Sequence, residues 1–325
     1  MTHYAPLISA FVCFVLTAII LNSKFGKGVQ DIPNERSLHD TPVPRIGGVG
    51  LMAGVLTGWA WMMYSLVWWL VLPALLLFIV SLVDDMRGLP VSRRMAAHLI
   101  AAATLIGGSG VLSAHGIIIS VLLLLFTVWM TNLYNFMDGS DGLAGGMALM
   151  GFTVFGIAGL MSGNDAFAMV CFTVGGAALA FLFSNFYPAK VFMGDSGSIP
   201  LGFLVAGIGI WGWQLGCWQV WFPLLVFSPF VVDASVTLVK RAFRGAKVTE
   251  AHREHYYQRL IQLGWGHRNV ALVEYVLMVA VGISAIFSLH DQFPLRMFLV
   301  WAAIFGVLML SVDAAWKRSK RERNA

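Results

Sequence analysis

The sequence predicts an all-α polytopic integral membrane protein, and three observations predict it. Apolar runs recur along the whole chain, most of them near the roughly 20 residues a helix needs to cross hydrocarbon. Of the 325 residues 58% are hydrophobic and only 11% charged, against about 25% charged in an ordinary soluble domain. The basic residues gather in alternate connecting loops, the mark of a fixed orientation in a bilayer. A barrel would show short alternating segments instead.

About eleven transmembrane helices (10–11) are expected, at 5–21, 47–65, 66–83, 96–112, 117–133, 143–161, 166–184, 200–213, 218–239, 270–289 and 295–312. The first run has no basic segment before it and no small-residue cleavage site after it, so it is expected to stay as a span and not to be removed as a signal peptide. Cys13, Cys171 and Cys217 lie in or beside apolar runs and match no disulfide or metal spacing, so they are expected to be reduced packing residues. One transmembrane catalytic domain is expected over 1–325, with cytoplasmic loops at about 22–46, 84–95, 134–142, 185–199 and 240–269. With the N-terminus periplasmic and the C-terminus cytoplasmic, these loops and the tail hold 20 of the 21 Lys and Arg, leaving only Arg296 outside. The net charge of +5 is therefore a topological signal, and basic residues dispersed over membrane loops do not compose a nucleic-acid surface.

Polar side chains concentrate on these five loops. In the first, Pro33, Pro42 and Pro44 fix their own φ and bias their predecessors to extended backbone. It reads either as a plain connector or, through Arg36, His39 and Arg45, as an anion-handling lid. The second carries Asp84 and Asp85 followed by Arg87, Arg93 and Arg94. This is either a charged end to a span or a site in which one carboxylate acts as base or nucleophile while arginines bind phosphate. Adjacent like charges would raise one pKa, which suits a base.

The third loop reads NLYNFMDGSDGLA from Asn132 to Ala144. Asn135, Asp138 and Asp141 recur at three-residue spacing, Gly139 and Gly142 allow close backbone approach, and Asp141 is an expected N-cap. A capped helix start explains Asp141 and Gly142 but not Asn135 and Asp138. In the fourth, NFYPAKVFMGDSGS from Asn185 to Ser198, Asp195 lies among glycines ahead of a helix. There a hard cation on its oxygen would face phosphates near the helix N-terminus, and Lys190 and Phe192 favour a nucleotide site over a simple serine cap. In the fifth, His252 and His255 stand at i, i+3 with Arg253 and Arg259 nearby. No further ligands come at zinc spacing, so they are either surface histidines on an interfacial helix or binders of a diphosphate.

The set Asp84-Asp85, NLYNFMDGSDGLA, FMGDSGS at 192–198 and HREH at 252–255 resembles the polyprenyl-phosphate N-acetylhexosamine-1-phosphate transferases, over nearly the whole chain from about 31 to 267. The resemblance implies transfer of a sugar-1-phosphate from a UDP-N-acetylhexosamine to undecaprenyl phosphate, with release of UMP, a need for Mg²⁺ or Mn²⁺, a site on the cytoplasmic face of a bacterial inner membrane, and a homodimer. Position by position, Asp195 matches the family's metal ligand and Asp84 the carboxylate proposed to act on the lipid phosphate. Asn135, Asp138, Asp141 and Phe192 match positions around the nucleotide, and His252 and His255 match the histidine motif at the diphosphate. Arg87 and Arg94 stand where relatives often place lysine. An arginine keeps the charge and can grip phosphate in two places, but it cannot supply a titrating amine.

The form HREHYYQR is more similar to initiators of O-antigen synthesis that use UDP-N-acetylfucosamine or UDP-N-acetylquinovosamine than to the peptidoglycan branch, which has three consecutive histidines. Relatives bend the helix that matches 218–239, so Pro229 is expected to open an apolar groove for the lipid, with Asp233 a turn further on. The alternative class is a transporter using Asp233 and Glu274 as midplane charges, but no internal repeat of the kind it needs is visible. Intramembrane prenyltransferases want DxxxD or DDxxD spacings that this chain does not supply.

Overall fold

A computed structural model describes residues 2–33, 38, 41–247, 252–290 and 294–324. Eleven long helices carry most of them: α1 (Ala5–Asn22), α2 (Gly47–Trp61), α3 (Trp68–Arg87), α4 (Val91–Gly108), α5 (Val111–Phe136), α6 (Leu143–Met161), α7 (Asp165–Asn185), α8 (Asp195–Gln214), α9 (Ser228–Phe243), α10 (Gly266–Phe287) and α11 (Pro294–Asn324). Each expected apolar run coincides with one of them. Among the described residues, however, eight helices are long and apolar enough to cross a membrane. Three runs are helical and fall outside that set. α2 has only 15 residues, α4 opens through Arg93 and Arg94 and buries His98, and the run expected at 218–239 is broken at Phe227 into a short helix, Phe222–Val226, and α9. The break falls ahead of Pro229, which sits in the first turn of α9, where a missing N–H costs nothing.

α8 organises the bundle. Every residue from Ser196 to Gly212 is buried, the pattern of a helix surrounded on all sides, and α3 and α5 pack along it with α2 beside its start. Its first residue, Asp195, therefore emerges at the centre of the polar face. The segment ahead of it is fixed by backbone pairing: Phe192 N–H donates to the Pro44 carbonyl at 2.7 Å, and Gly47 and Gly48 N–H donate to the Phe192 and Met193 carbonyls at 2.9 and 2.8 Å. Pro44 belongs to β2 (Val43–Pro44), which pairs antiparallel with β1 (Gln30–Asp31). Gly194 joins this segment to α8 at φ +68°, and a Cβ there would fall 2.1 Å from the Arg45 carbonyl oxygen and 2.9 Å from Asp85 Oδ2. Only glycine meets both demands.

The three cysteines are free and buried, as their apolar neighbourhoods predict. The Arg36 and His39 side of the expected lid lies outside the described residues.

Candidate active site

The loop ends of α3, α5, α7 and α8 surround a cavity of about 340 Å³. Of the residues singled out from sequence, Arg45, Asp85, Asn135, Asp138, Asp141, Phe192, Asp195 and His252 line it. Asp195 is held from two sides. Asn135 Nδ2 donates to its Oδ1 at 2.8 Å and to Ser198 Oγ at 3.0 Å, and Arg94 reaches its Oδ2 at 3.2 Å.

Asp85 holds the start of α8. Its Oδ1 accepts the Asp195 N–H at 3.0 Å and its Oδ2 the Ser196 N–H at 2.9 Å, taking two of the amides that a helix start leaves unpaired. Arg45 approaches from the other side, donating to the Asp85 carbonyl at 2.7 Å. Asp138 faces the same space. Burial first, then the negative charges of Asp195 and Asp85, push its carboxyl well above the usual carboxylate range.

The adjacent Asp84 has a different place: it does not line the cavity but neighbours Asp195. It is buried, its Oδ1 accepts the Leu89 N–H and its Oδ2 accepts Arg94 Nη1 at 3.0 Å. Arg94 thus bridges Asp84 to Asp195. Successive helix residues point about 100° apart, and of the pair only Asp85 is part of the cavity lining.

Asp141 also departs from expectation. No side chain caps α6, whose N-terminal flank is Gly142 at φ +74°. Asp141 Oδ2 instead accepts the Ala189 N–H at 2.9 Å, which draws the fourth loop against the third. His255 lies beside His252 as expected, with ring centres 4.9 Å apart, but it is buried at 3% exposure and does not line the cavity; its Nδ1 is 3.3 Å from Asp233 Oδ1. The chain is not yet helical there, since the helical turn is Tyr256–Leu260, so the two rings meet without a helix to align them. Arg87 and Arg253 are exposed outside the cavity. Lys190 is exposed and lines a separate crevice with Phe186 and Tyr187.

His252 is held near neutral form: burial, then His255 and Arg241, bring its pKa down to about 4. Its Nδ1 accepts the Glu254 N–H at 3.3 Å, so the proton of the neutral ring lies on Nε2. Glu254 in turn pairs with Arg241 and Arg244, which hold its carboxyl below its usual range although burial opposes them.

Sequence reasoning missed Asn185, Gln258 and His267, which also line the cavity. Asn185 accepts the Gly142 N–H at 3.1 Å and donates to the Val191 carbonyl at 2.9 Å. His267 Nδ1 lies 3.0 Å from Ser140 Oγ, and its Nε2 lies 2.9 Å from the Leu38 carbonyl. Asn185 and His267 stood inside loops already marked as polar, but their partners come from 43 and 127 residues away and no local pattern announces them.

A divalent cation is implied by the resemblance, and the donor set bears on whether one fits. Asp85 and Asp195 face one cavity with Asp138, and after burial their charges add to the rise in its pKa, a repulsion that a cation relieves. Among the described residues no three His, Cys, Asp or Glu converge tightly enough to hold an ion alone. Mg²⁺ commonly takes one or two carboxylates and completes its shell with phosphate and water, and this set suits that mode.

A second cavity, of about 250 Å³, lies between α9, α10 and α11. Pro229, Leu260, Leu277, Phe305, Leu308 and Val312 line it together with Asp233 and Glu274. Asp233 is occupied by backbone donors, and the reading of these two residues as transport charges finds no support.

Comparison with known proteins finds relatives over most of the chain. A family model described as glycosyl transferase family 4 matches residues 67–213. The chain is 31% identical over 299 residues to a decaprenyl-phosphate N-acetylglucosaminephosphotransferase of Mycobacterium leprae, covering 78% of this chain and 75% of the relative. It is 26% identical over 326 residues to a probable undecaprenyl-phosphate N-acetylglucosaminyl 1-phosphate transferase of Bacillus subtilis, covering 95% and 88%. An undecaprenyl-phosphate alpha-N-acetylglucosaminyl 1-phosphate transferase of Escherichia coli is 26% identical over 352 residues, with 98% and 93% covered.

Proposed function

Because the chain belongs to glycosyl transferase family 4, the polyprenyl-phosphate N-acetylhexosamine-1-phosphate transferases, we propose that its polar cavity binds a UDP-N-acetylhexosamine and passes the sugar-1-phosphate to undecaprenyl phosphate. One observation carries the reading: Asp195, at the start of the central helix, sits between Arg94 and Asn135 in a cavity shared with Asp85 and Asp138.

The reaction is read as a single displacement. A phosphate monoester already carries about −1.5 to −2 charges at pH 7, so the acceptor oxygen needs positioning and charge compensation more than a base. It attacks the β-phosphorus of the donor, the bond from that phosphorus to the bridging oxygen breaks, and UMP leaves with the electron pair. Mg²⁺ or Mn²⁺, when bound, supplies neutralisation of the diphosphate charge. Asp195 and Asp85 would hold it, with Asp138 facing them. Arg45 and Arg94 oppose the developing negative charge, and His252, neutral at pH 7, offers its Nε2–H to a phosphate oxygen. Phe192 presents a ring to the nucleotide end. Catalysis of phosphoryl transfer rests mainly on such positioning and electrostatics.

The apolar cavity beside Pro229 suits a polyprenyl chain, because it opens among membrane helices on the far side of the Asp233 wall. The distribution of basic residues supports a polar cavity on the cytoplasmic face of a bacterial inner membrane. The product would be the first lipid-linked intermediate of an envelope polysaccharide such as O-antigen.

The test is UMP release by purified protein in lipid, with undecaprenyl phosphate and separate UDP-linked N-acetylglucosamine, N-acetylfucosamine and N-acetylquinovosamine. Turnover with at least one donor, lost on chelation and restored by Mg²⁺, is expected. Absence of UMP release with every donor, from a protein that is folded by melting assay, overturns the reading.

A further inference from the structure

We propose that Asp233 is a positioning residue that fixes the turn carrying His252 and Gln258 against the membrane helices; the proposal rests on the reading of the polar cavity as the donor site. Asp233 is buried on α9. Its Oδ1 accepts the Tyr256 N–H at 2.9 Å and its Oδ2 the Tyr257 N–H at 3.0 Å. Thr237 Oγ1 donates to Oδ1 at 3.2 Å, and His255 Nδ1 lies 3.3 Å from the same oxygen. A buried carboxylate is costly unless donors surround it, and here four do.

These bonds connect three pieces of the site. The Asp233 carboxylate faces His255 Nδ1 at 3.3 Å, and this contact orients the ring. The ring then stacks on Phe136 at 6.4 Å and on Tyr257 at 5.9 Å, with its centre 4.9 Å from that of His252. Phe136 ends α5 just ahead of Asp138, and Tyr257 Oη donates to its carbonyl at 3.2 Å. Close approach of the Tyr257 phenol is possible because residue 139 is glycine: a Cβ there would lie 2.2 Å from Tyr257 Oη. Asp233 thus sets the register between α9, the turn and the Asp138 loop without lining the polar cavity itself. Glu254 and Arg259, paired with Arg241, Arg244 and Asp313, anchor the same turn from its outer side, so loss of the Asp233 bonds loosens its register without releasing it.

The experiment compares wild type, Asp233→Asn and Asp233→Glu as full-length protein in lipid. The Asn amide puts an N–H₂ where an oxygen accepted a backbone N–H. Hydrogen exchange at Tyr256 and Tyr257 is expected to rise about 10-fold while α6, α7 and α8 keep wild-type exchange. In parallel kcat/KM for UMP release falls on the order of 10²-fold, the cost of a misplacement remote from the chemistry, and the KM for the UDP-sugar moves more than that for the lipid. Asp233→Glu, which keeps both acceptor oxygens, recovers part of the loss. Raised exchange with unchanged turnover overturns the positioning role, and so does lost turnover with unchanged exchange. A wild-type protein inactive on every UDP-sugar refutes the donor-site reading instead, while the exchange result still decides the tether. Should Asp233→Asn loosen the whole bundle, His255→Asn and His255→Leu replace it: the Asn amide can donate to Asp233 and Leu cannot, so equal activity of the two overturns the proposal.

Discussion

Asp85 and Asp233 do the same thing at two places with opposite surroundings. Each is buried on a helix of the bundle, and each takes two consecutive backbone N–H groups at the start of a segment that builds the polar cavity: Asp195 and Ser196 in one case, Tyr256 and Tyr257 in the other. Asp85 opens into a cavity shared with Asp138, Asp195 and Arg45. Asp233 sits against an apolar cavity with a histidine as its partner. The difference separates two duties of one motif. A carboxylate whose charge is exposed to other charges takes part in substrate electrostatics, whereas one enclosed by donors and hydrocarbon supplies geometry.

The largest effect should come from the charge that both arms of the cavity converge on. Asp195→Asn preserves shape and removes the negative charge, so turnover is expected to fall by at least ~10²–10³-fold, the size of a lost electrostatic contact in a preorganised site. UMP release under saturating donor measures it, and turnover within a few-fold of wild type would remove Asp195 from the metal role.

Next is Asp85→Asn, which strikes both duties at once. The amide leaves one α8 amide facing another donor, which costs about 1–3 kcal/mol as an unmade buried hydrogen bond. It also deletes a charge from the cavity. Both the melting temperature and kcat should drop, and by more than in Asp84→Asn, where the Leu89 and Arg94 contacts lie behind the cavity wall. An Asp84→Asn protein as damaged in kcat as Asp85→Asn would show that the Arg94 bridge, and not cavity lining, is what matters.

What the sequence made legible follows the same division. The glycines around Asp195 and the apolar run after it announced a tight turn into a buried helix, and α8 is that helix. Asn135 and Asp138 were legible because a capped helix start could not account for them. The separate fates of Asp84 and Asp85 were not, because the helix rotates between neighbours and nothing local says which side faces the cavity. His252 and His255 lie side by side, but the helical turn begins only at Tyr256 and only His252 lines the cavity, a distinction that spacing alone does not carry. Three of the eleven expected runs form helices that are too short, too polar at one end or broken at Phe227, features that an average over an apolar window conceals.

Asp138 sharpens the comparison in the opposite direction, through stability. Its carboxyl is raised by burial and by Asp195 and Asp85, so ionising it works against the folded state. Below the ordinary carboxylate pKa it is protonated in folded and unfolded chains alike and contributes no difference. As pH rises above that value the unfolded chain ionises first, and stability is lost. Asp138→Asn should therefore melt higher than wild type at pH 7 in the absence of divalent cation, with the gap closing as pH falls toward 4 and shrinking when Mg²⁺ is added to wild type. Equal melting curves at all pH values would mean that the three carboxylates do not share one electrostatic space.

The smallest effects test where the cavity ends. Arg87, Lys190 and Arg253 are cationic, lie in loops that contribute to the site and look from sequence like phosphate binders. The structure leaves all three exposed and outside the polar cavity. Exposed substitutions away from caps, networks and cavities usually shift energies within about ±0.5 kcal/mol, close to a two-fold change in rate. Alanine at each should accordingly leave kcat/KM within about 2-fold. Arg45→Ala is the matched contrast, since it removes a cavity-lining guanidinium bonded to the Asp85 carbonyl, and it should raise the donor KM well beyond that range. If Lys190→Ala instead matched Arg45→Ala, the phosphate-binding surface would extend past Asn185 into the crevice beside Tyr187, and the boundary drawn by Asp85 and Asp195 would have to move outward.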